Sequence, residues 1–187
     1  MEHMNIKLNK IYKSLLIVGC LFSTMPTVCV AEYFAASSSY DVCFTPGDDC
    51  AHKIIEEILR AKEQILVQAY GFSDFSIAEA LAKAKRKGVD VRVILDKRQI
   101  KQQRKLIDFL KKNKVVLAID SPAGGIAHNK TMIIDNLTVI GGSYNFTISA
   151  AKRNAENVII IKDAWFAQKY VKNWYVRERK SVAYDES

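Results

Sequence analysis

The sequence predicts an α/β fold, a sandwich in which a mixed, largely parallel sheet is flanked by helices. Three observations predict it. Short apolar runs alternate along the chain with longer stretches whose apolar residues recur at the helical period. That alternation is the pattern that builds parallel sheets, and one closely spaced pair of strands adds an antiparallel element. Of 187 residues, 49% are apolar and 26% charged, enough of each for a core and a solvated surface. The same balance excludes a disordered tail, a collagen-like repeat and a multi-span membrane protein.

The first 31 residues follow a different pattern. Lys7, Lys10 and Lys13 stand against one acid, Glu2. An uncharged stretch follows over 14–31, most apolar over 15–22, and closes on Val28-Cys29-Val30-Ala31. This is the order of a secretory signal cleaved after Ala31. Pro26 and the modest length of the apolar stretch weigh against a retained anchor helix. The apolar run before Cys20 is short for lipidation there. The expectation is one domain over 32–187, periplasmic or secreted, with no stable membrane association after cleavage. The whole chain carries a net charge of +8; cleavage leaves 25 basic and 19 acidic side chains, a net +6. A surplus of that size suits a polyanionic partner.

Two cysteines, Cys43 and Cys50, survive cleavage. An even pair in an exported chain predicts a disulfide. A metal site from Cys43, Asp48, Cys50 and His52 is the rival reading, but these residues lack a compact zinc spacing.

The elements then follow in order. Over 49–62, apolar residues at 51, 54, 55, 58 and 59 mark a helix. Residues 65–70 form a buried strand, broken by Gly71. A helix over 75–87 stops at Gly88. A strand over 89–95 precedes a basic helix over 99–112 and a strand over 115–119. Residues 121–125 are a loop. Two short strands, 130–134 and 138–140, flank Asp135-Asn136-Leu137. A strand over 157–161 leads into a closing amphipathic helix over 164–179.

Chemistry concentrates between 128 and 156. If the two short strands form a hairpin with Asn136 and Leu137 as its loop, Ile133 faces Ile140, Lys130 faces Ser143 and His128 faces Asn145. Directly opposed residues share a face, and the period of two puts His128 and Lys130 on a common side. An imidazole, an ammonium, a hydroxyl and an amide then converge on one patch, with Gly141 and Gly142 leaving room beside it. One nucleophile among cationic and neutral donors suits a phosphate diester. Asp135 has the opposite parity, so it points away or closes the turn in a supporting role. Four polar groups on one hairpin face would burden an ordinary core.

The pattern His128-x-Lys130-x4-Asp135, followed by Gly142-Ser143-x-Asn145-Phe146-Thr147, resembles the HKD motif of the phospholipase D superfamily. With a single copy, a short chain and an export signal, the sequence looks most like that superfamily's small secreted bacterial endonucleases. The resemblance implies the superfamily's sandwich fold. It also implies that His128 attacks phosphorus to give a phosphohistidine, while a second histidine protonates the leaving oxygen and then activates water. Lys130 and Asn145 hold the nonbridging oxygens, with Ser143 nearby. Asn154-Ala155-Glu156-Asn157 fits the family's downstream pattern, in which Glu156 supports the histidine. No metal or other cofactor is implied, because cationic side chains neutralise the developing charge.

After cleavage only His52 and His128 remain, and His52 lies in no such motif. Single-motif members pair two chains about a two-fold axis, so the resemblance implies a homodimer with one composite site. Lys97, Arg98, Lys101, Arg104 and Lys105 begin a basic segment that continues through Lys111, Lys112 and Lys114. Lys83, Lys85, Arg86 and Lys87 form a second cluster. Beside a diester site, the first segment is expected to bind the backbone of DNA, with RNA as a second candidate. A lipid phosphodiesterase should show an interfacial apolar helix. The closing helix, with Trp165, Phe166, Tyr170 and Trp174, is the one candidate and reads as core. A non-catalytic nucleic-acid-binding protein would need no intact His, Lys and Asn.

Overall fold

The computed structural model describes residues 32–184. The expected export signal, residues 1–31, lies outside the described residues. The chain runs β1 (Ser39–Thr45), α1 (Cys50–Arg60), β2 (Gln64–Ala69), α2 (Phe75–Arg86), β3 (Asp90–Asp96), a 3₁₀ turn (Lys97–Gln99) and α3 (Ile100–Lys112). It continues through β4 (Val116–Asp120), β5 (Lys130–Ile134), β6 (Thr138–Gly142), α4 (Ile148–Lys152), β7 (Glu156–Lys162), α5 (Ala164–Glu178) and β8 (Val182–Ala183). All eight strands join one sheet in the order β1-β7-β6-β5-β2-β3-β4-β8.

Local chemistry sets the helix starts. Asp49 accepts from the His52 amide at 3.0 Å, Asp74 from Ser76 at 2.9 Å and Asp163 from Phe166 at 2.7 Å. Each carboxylate satisfies an amide that the first helical turn leaves without a partner.

The mixed α/β sheet flanked by helices is as the sequence predicts. Its parallel part is smaller than expected. Only β2–β3 and β3–β4 pair in parallel, and the other five pairings are antiparallel. Among the described residues, helical crossovers between neighbouring strands occur only where α2 and α3 join β2 to β3 and β3 to β4. The β5–β6 hairpin and the returning strands β7, β1 and β8 make the rest antiparallel. Three of these elements carry little periodic signal: β1 is an edge strand, α4 is one turn and β8 has two residues.

Both faces of the sheet are covered. On one face α1, α2 and α3 bury Ile54, Ile58, Ile77, Leu81, Leu106 and Leu110 against Ile65, Val67, Val93, Met132 and Ile140. On the other, Ala167 and Trp174 of α5 pack on Leu66, Ile94, Ile133 and Val139. This explains why β2 reads as an unbroken apolar run: its alternate side chains enter two different cores. The Trp174 indole donates to the Val67 carbonyl at 3.0 Å. Arg177 of α5 donates from Nε to the buried Asp120 carboxylate at 2.7 Å. The expectation that the closing helix is core holds for Trp174. Trp165 is instead 72% exposed, since it stands on the side of α5 opposite Ala167 and Trp174.

Cys43 and Cys50 are bonded to one another, with Cα atoms 5.7 Å apart, and both are buried. The thiols required by the rival metal reading are therefore consumed.

Candidate active site

The hairpin register decides which side chains meet. Met132 pairs with Ile140, Ile133 with Val139 and Ile134 with Thr138. This is one residue away from the register predicted above. The loop holds three residues, because Asp135 and Asn136 both adopt left-handed backbone, with φ of 51° and 53°. Asp and Asn tolerate that conformation better than other residues bearing a Cβ. The Leu137 amide closes the turn on the Ile134 carbonyl at 3.0 Å.

Asp135 has a separate task. Its carboxylate accepts from the amides of Lys62, Glu63 and Gln64 at 2.9, 2.9 and 3.0 Å. It closes the entry to β2, about 17 Å of strand from Lys130. Its supporting role is structural, and it stands apart from the polar cluster.

With the observed register, unbroken alternation would put Ser143 and Asn145 on the face opposite Lys130. Gly142 ends the strand before either residue, at φ 132°, and a Cβ there would lie 2.3 Å from the Asn157 carbonyl oxygen. Tyr144 and Phe146 stay in the core that holds Met132 and Ile140, in step with β6, while Ser143 is exposed and Asn145 half-buried. Burial pushes the Tyr144 phenol above its ordinary value, and the charges of Asp74, Asp49 and Glu156 add to the effect.

The groups thus collected stand at one edge of the sheet. His128 is exposed immediately before β5, and Lys130 is the first residue of that strand. Lys130 Nζ lies 3.3 Å from His128 Nε2 and donates to the His128 carbonyl at 3.0 Å. An ammonium has only donors, so this contact requires Nε2 to present its lone pair, the form a nucleophile needs. Burial lowers the pKa of Lys130 from the ordinary lysine value, and the Glu156 carboxylate partly offsets that. Asn145 Oδ1 accepts from the Gly71 amide at 3.2 Å. Its amide nitrogen is thereby left for an incoming anion.

Glu156 departs from the expectation. Its carboxylate accepts from Ser143 Oγ at 2.5 Å and from Asn154 Nδ2 at 3.0 Å, instead of from the imidazole. Ser143 in turn accepts from the Asn157 amide at 3.1 Å. Glu156 therefore fixes Ser143 and the β6–β7 junction, and it reaches Lys130 only through its charge.

A match to the family model described as cardiolipin synthase, PLD-like domain, covers residues 54–175. The chain belongs to the phospholipase D superfamily. It is a phosphodiesterase of that superfamily. A phospholipase D of Rickettsia prowazekii is 47% identical over 146 residues, covering 78% of this chain and 71% of that one. A mitochondrial cardiolipin hydrolase of Danio rerio is 27% identical over 161 residues, covering 82% and 71%. The crystal structure of a phospholipase D family member, Nuc from Salmonella typhimurium, superposes with a TM-score of 0.76 at 30% identity. That match covers 80% of this chain and 99% of Nuc.

The phospholipase D-like sheet also sorts the basic residues. Because β2 and β3 are parallel, the residues after β3 emerge at the same edge as Tyr70 and the His128 cluster. Lys97 and Arg98 in the 3₁₀ turn, and Lys101, Arg104 and Lys105 at the start of α3, are exposed at that edge. Two buried side chains, Gln103 and Asp96, hold them there. Gln103 Nε2 donates to the Tyr70 carbonyl at 2.8 Å. Asp96 accepts from the Arg98 amide at 2.8 Å and from the Ala127 amide, next to His128, at 2.6 Å. Lys111, Lys112 and the cluster from Lys83 to Lys87 lie at the far ends of α3 and α2, away from that edge.

Sequence reasoning missed Tyr70. Its ring meets the His128 ring edge-on, with centroids 4.5 Å apart, and Lys130 Nζ lies 5.2 Å from its centroid. The residue follows a buried strand and precedes the glycine that breaks it, and that position at a strand end was the available signal.

Replacing Asp135 by Ala should lower stability by about 1.5–3 kcal/mol, the scale for hydrogen bonds to a charged group. Urea unfolding reads this directly. Diesterase activity measured below the transition should persist, as expected of a group outside the polar cluster.

Proposed function

We propose that the protein is an exported, metal-independent endonuclease that hydrolyses nucleic-acid phosphodiester bonds without sequence preference, working as a homodimer. The carrying observation is the pair of contacts made by the buried side chains of Gln103, to Tyr70, and Asp96, to Ala127, that hold a basic helix start at the edge bearing His128. A polyphosphate backbone spans both features, whereas a single phosphate would use only the second. DNA is the first substrate class and RNA the second.

Lys130 Nζ lies 3.3 Å from His128 Nε2, against its lone pair. A phosphate oxygen that draws Nζ to itself frees that lone pair at the moment the diester arrives. His128 Nε2 attacks phosphorus, and the bond to the leaving sugar oxygen breaks. A protonated histidine gives that oxygen its proton. Deprotonated, the same ring takes a proton from water, whose oxygen attacks phosphorus and releases His128. Lys130 and the Asn145 amide stabilise the charge that builds on the nonbridging oxygens.

The second histidine is the His128 of a second copy. His52, in the first turn of α1, pairs with Glu56 at 3.4 Å. The strand leading to it, β1, stands three places from β5 in the sheet, about 14 Å away. One chain therefore supports one ring in the cluster, and a two-fold axis beside that edge supplies the other. Signal cleavage near Ala31 and a periplasmic or secreted location complete the reading, in keeping with the Cys43–Cys50 bond.

A lipid phosphodiesterase is the second reading, favoured by the names of the Rickettsia and Danio relatives. The largest exposed aromatic of α5, Trp165, follows β7 at the edge opposite the site, which is unsuited to presenting a lipid head group to His128.

Purified protein should cleave plasmid DNA in EDTA, and phosphatidylcholine vesicles should remain intact. Loss of DNA cleavage in EDTA with recovery in magnesium would contradict the proposal. His128→Ala should abolish cleavage, and Lys130→Ala or Asn145→Ala should each cost about a hundredfold or more. Lys130 must be protonated to hold a phosphate and its pKa is lowered, so phosphate affinity that depends on it should be lost, as pH rises, below the ordinary lysine value of 10.5. Mixing wild-type chains with excess His128→Ala chains should depress activity below simple dilution, because heterodimers lack one of the two rings. Activity that tracks the number of wild-type chains would indicate a site complete within one subunit.

A further inference from the structure

We propose that Tyr70 is a positioning residue for the reacting histidine, acting through its aromatic ring and not its hydroxyl. The inference rests on the reading of His128 as the group that attacks phosphorus. His128 is exposed and stands outside any strand, and an exposed imidazole samples several rotamers unless something holds it. Its ring meets Lys130 Nζ at 3.3 Å and the Tyr70 ring at 4.5 Å between centroids. The first contact must break when Lys130 turns to the phosphate. The Tyr70 ring is then the contact that keeps Nε2 aimed.

Tyr70 is itself held from several directions. Its amide donates to the Asn129 carbonyl at 2.9 Å, extending the β2–β5 pairing one residue toward His128. Its carbonyl accepts from Gln103, which is 5% exposed. The next residue, Gly71, donates to Asn145 at 3.2 Å and accepts from the Phe146 amide at 3.0 Å. The backbone under the ring is therefore tied to β5, to the basic helix and to the segment carrying Asn145. The same ring lies 5.2 Å from Lys130 Nζ, within reach of cation–π attraction. It thus touches both the attacking ring and the cation that meets the phosphate. A planar aromatic at this point limits how far either can swing, and the phenol oxygen has no part in that.

The test compares Tyr70→Leu and Tyr70→Phe in the full chain, with bis(4-nitrophenyl) phosphate as substrate. A ring lost from a positioning role should lower kcat about ten- to a hundredfold, the cost of misaligned reacting atoms, and leave KM within about threefold. Restoring the ring as Phe should return kcat to within about threefold of wild type. The His128 ring-proton resonances should move in Tyr70→Leu, which removes the ring current, and keep their place in Tyr70→Phe. Tyr70→Met, which fills similar volume without a ring, serves the same comparison if the Leu chain fails to fold. Wild-type kcat in the Leu or Met chain would overturn the proposal. So would a Phe chain as slow as the Leu chain, which would assign the role to the hydroxyl. A wild-type protein that hydrolyses neither this diester nor DNA would overturn the functional reading instead. The His128 resonances would still decide whether Tyr70 holds the ring.

Discussion

The close approach of β6 and β7 at Gly142 controls where the polar groups of the site stand. The backbone there takes φ 132°, and any Cβ would meet the Asn157 carbonyl at 2.3 Å and its side-chain oxygen at 2.7 Å. Only glycine permits both the conformation and the contact. Past this point the chain leaves the strand, keeps Tyr144 and Phe146 in the core that holds Ile140, and presents Ser143 and Asn145. A second glycine completes the junction. A Cβ on Gly71 would lie 3.1 Å from Asn145 Oδ1, the atom that accepts the Gly71 amide. The site is therefore a meeting of strand ends, closed by two positions where the side chain is absent.

Rigidity under those strand ends comes from burial on both sides of the central strands. Leu66 and Val67 are each fully buried, in separate cores, so β2 cannot shift its register without exposing one or both. Asp135 fixes the start of β2 and Gln103 the carbonyl just beyond its end. A reacting group on such a scaffold loses little orientation between turnovers, which is the requirement for electrostatic stabilisation without reorganisation. The residues left loose are the basic side chains, which must move to meet a phosphate.

Much of this was legible in the sequence, for physical reasons that can be named. The helices and central strands show because their apolar periods are strong, and the residues of the motif show because ionisable groups at fixed spacing beside paired glycines are rare in a core. The Cys43–Cys50 bond followed from pairing arithmetic. The register of the hairpin did not follow, because it turned on whether Asp135 would pair with Thr138 or take left-handed backbone, and both suit an Asp-Asn turn. The parallel share of the sheet was overestimated because strand order is long-range information; nothing local places β5 beside β2 or β7 beside β1. The partner of Glu156 was misassigned for a related reason. The bend that follows Gly142 brings Ser143 to its carboxylate. Tyr70 carried no motif, and only the fold brings its ring to His128.

The proposed chemistry turns on His128 Nε2 as the atom that attacks phosphorus. Rapid acid-free quenching of wild-type protein with DNA, followed by peptide mass spectrometry, tests this most directly. The account predicts a nucleotidyl adduct confined to the peptide bearing His128, stable in alkali and lost in acid, and absent from Asn145-containing peptides. An adduct on any other residue, or turnover at full rate with no adduct captured under conditions that trap a known phosphohistidine, would contradict it.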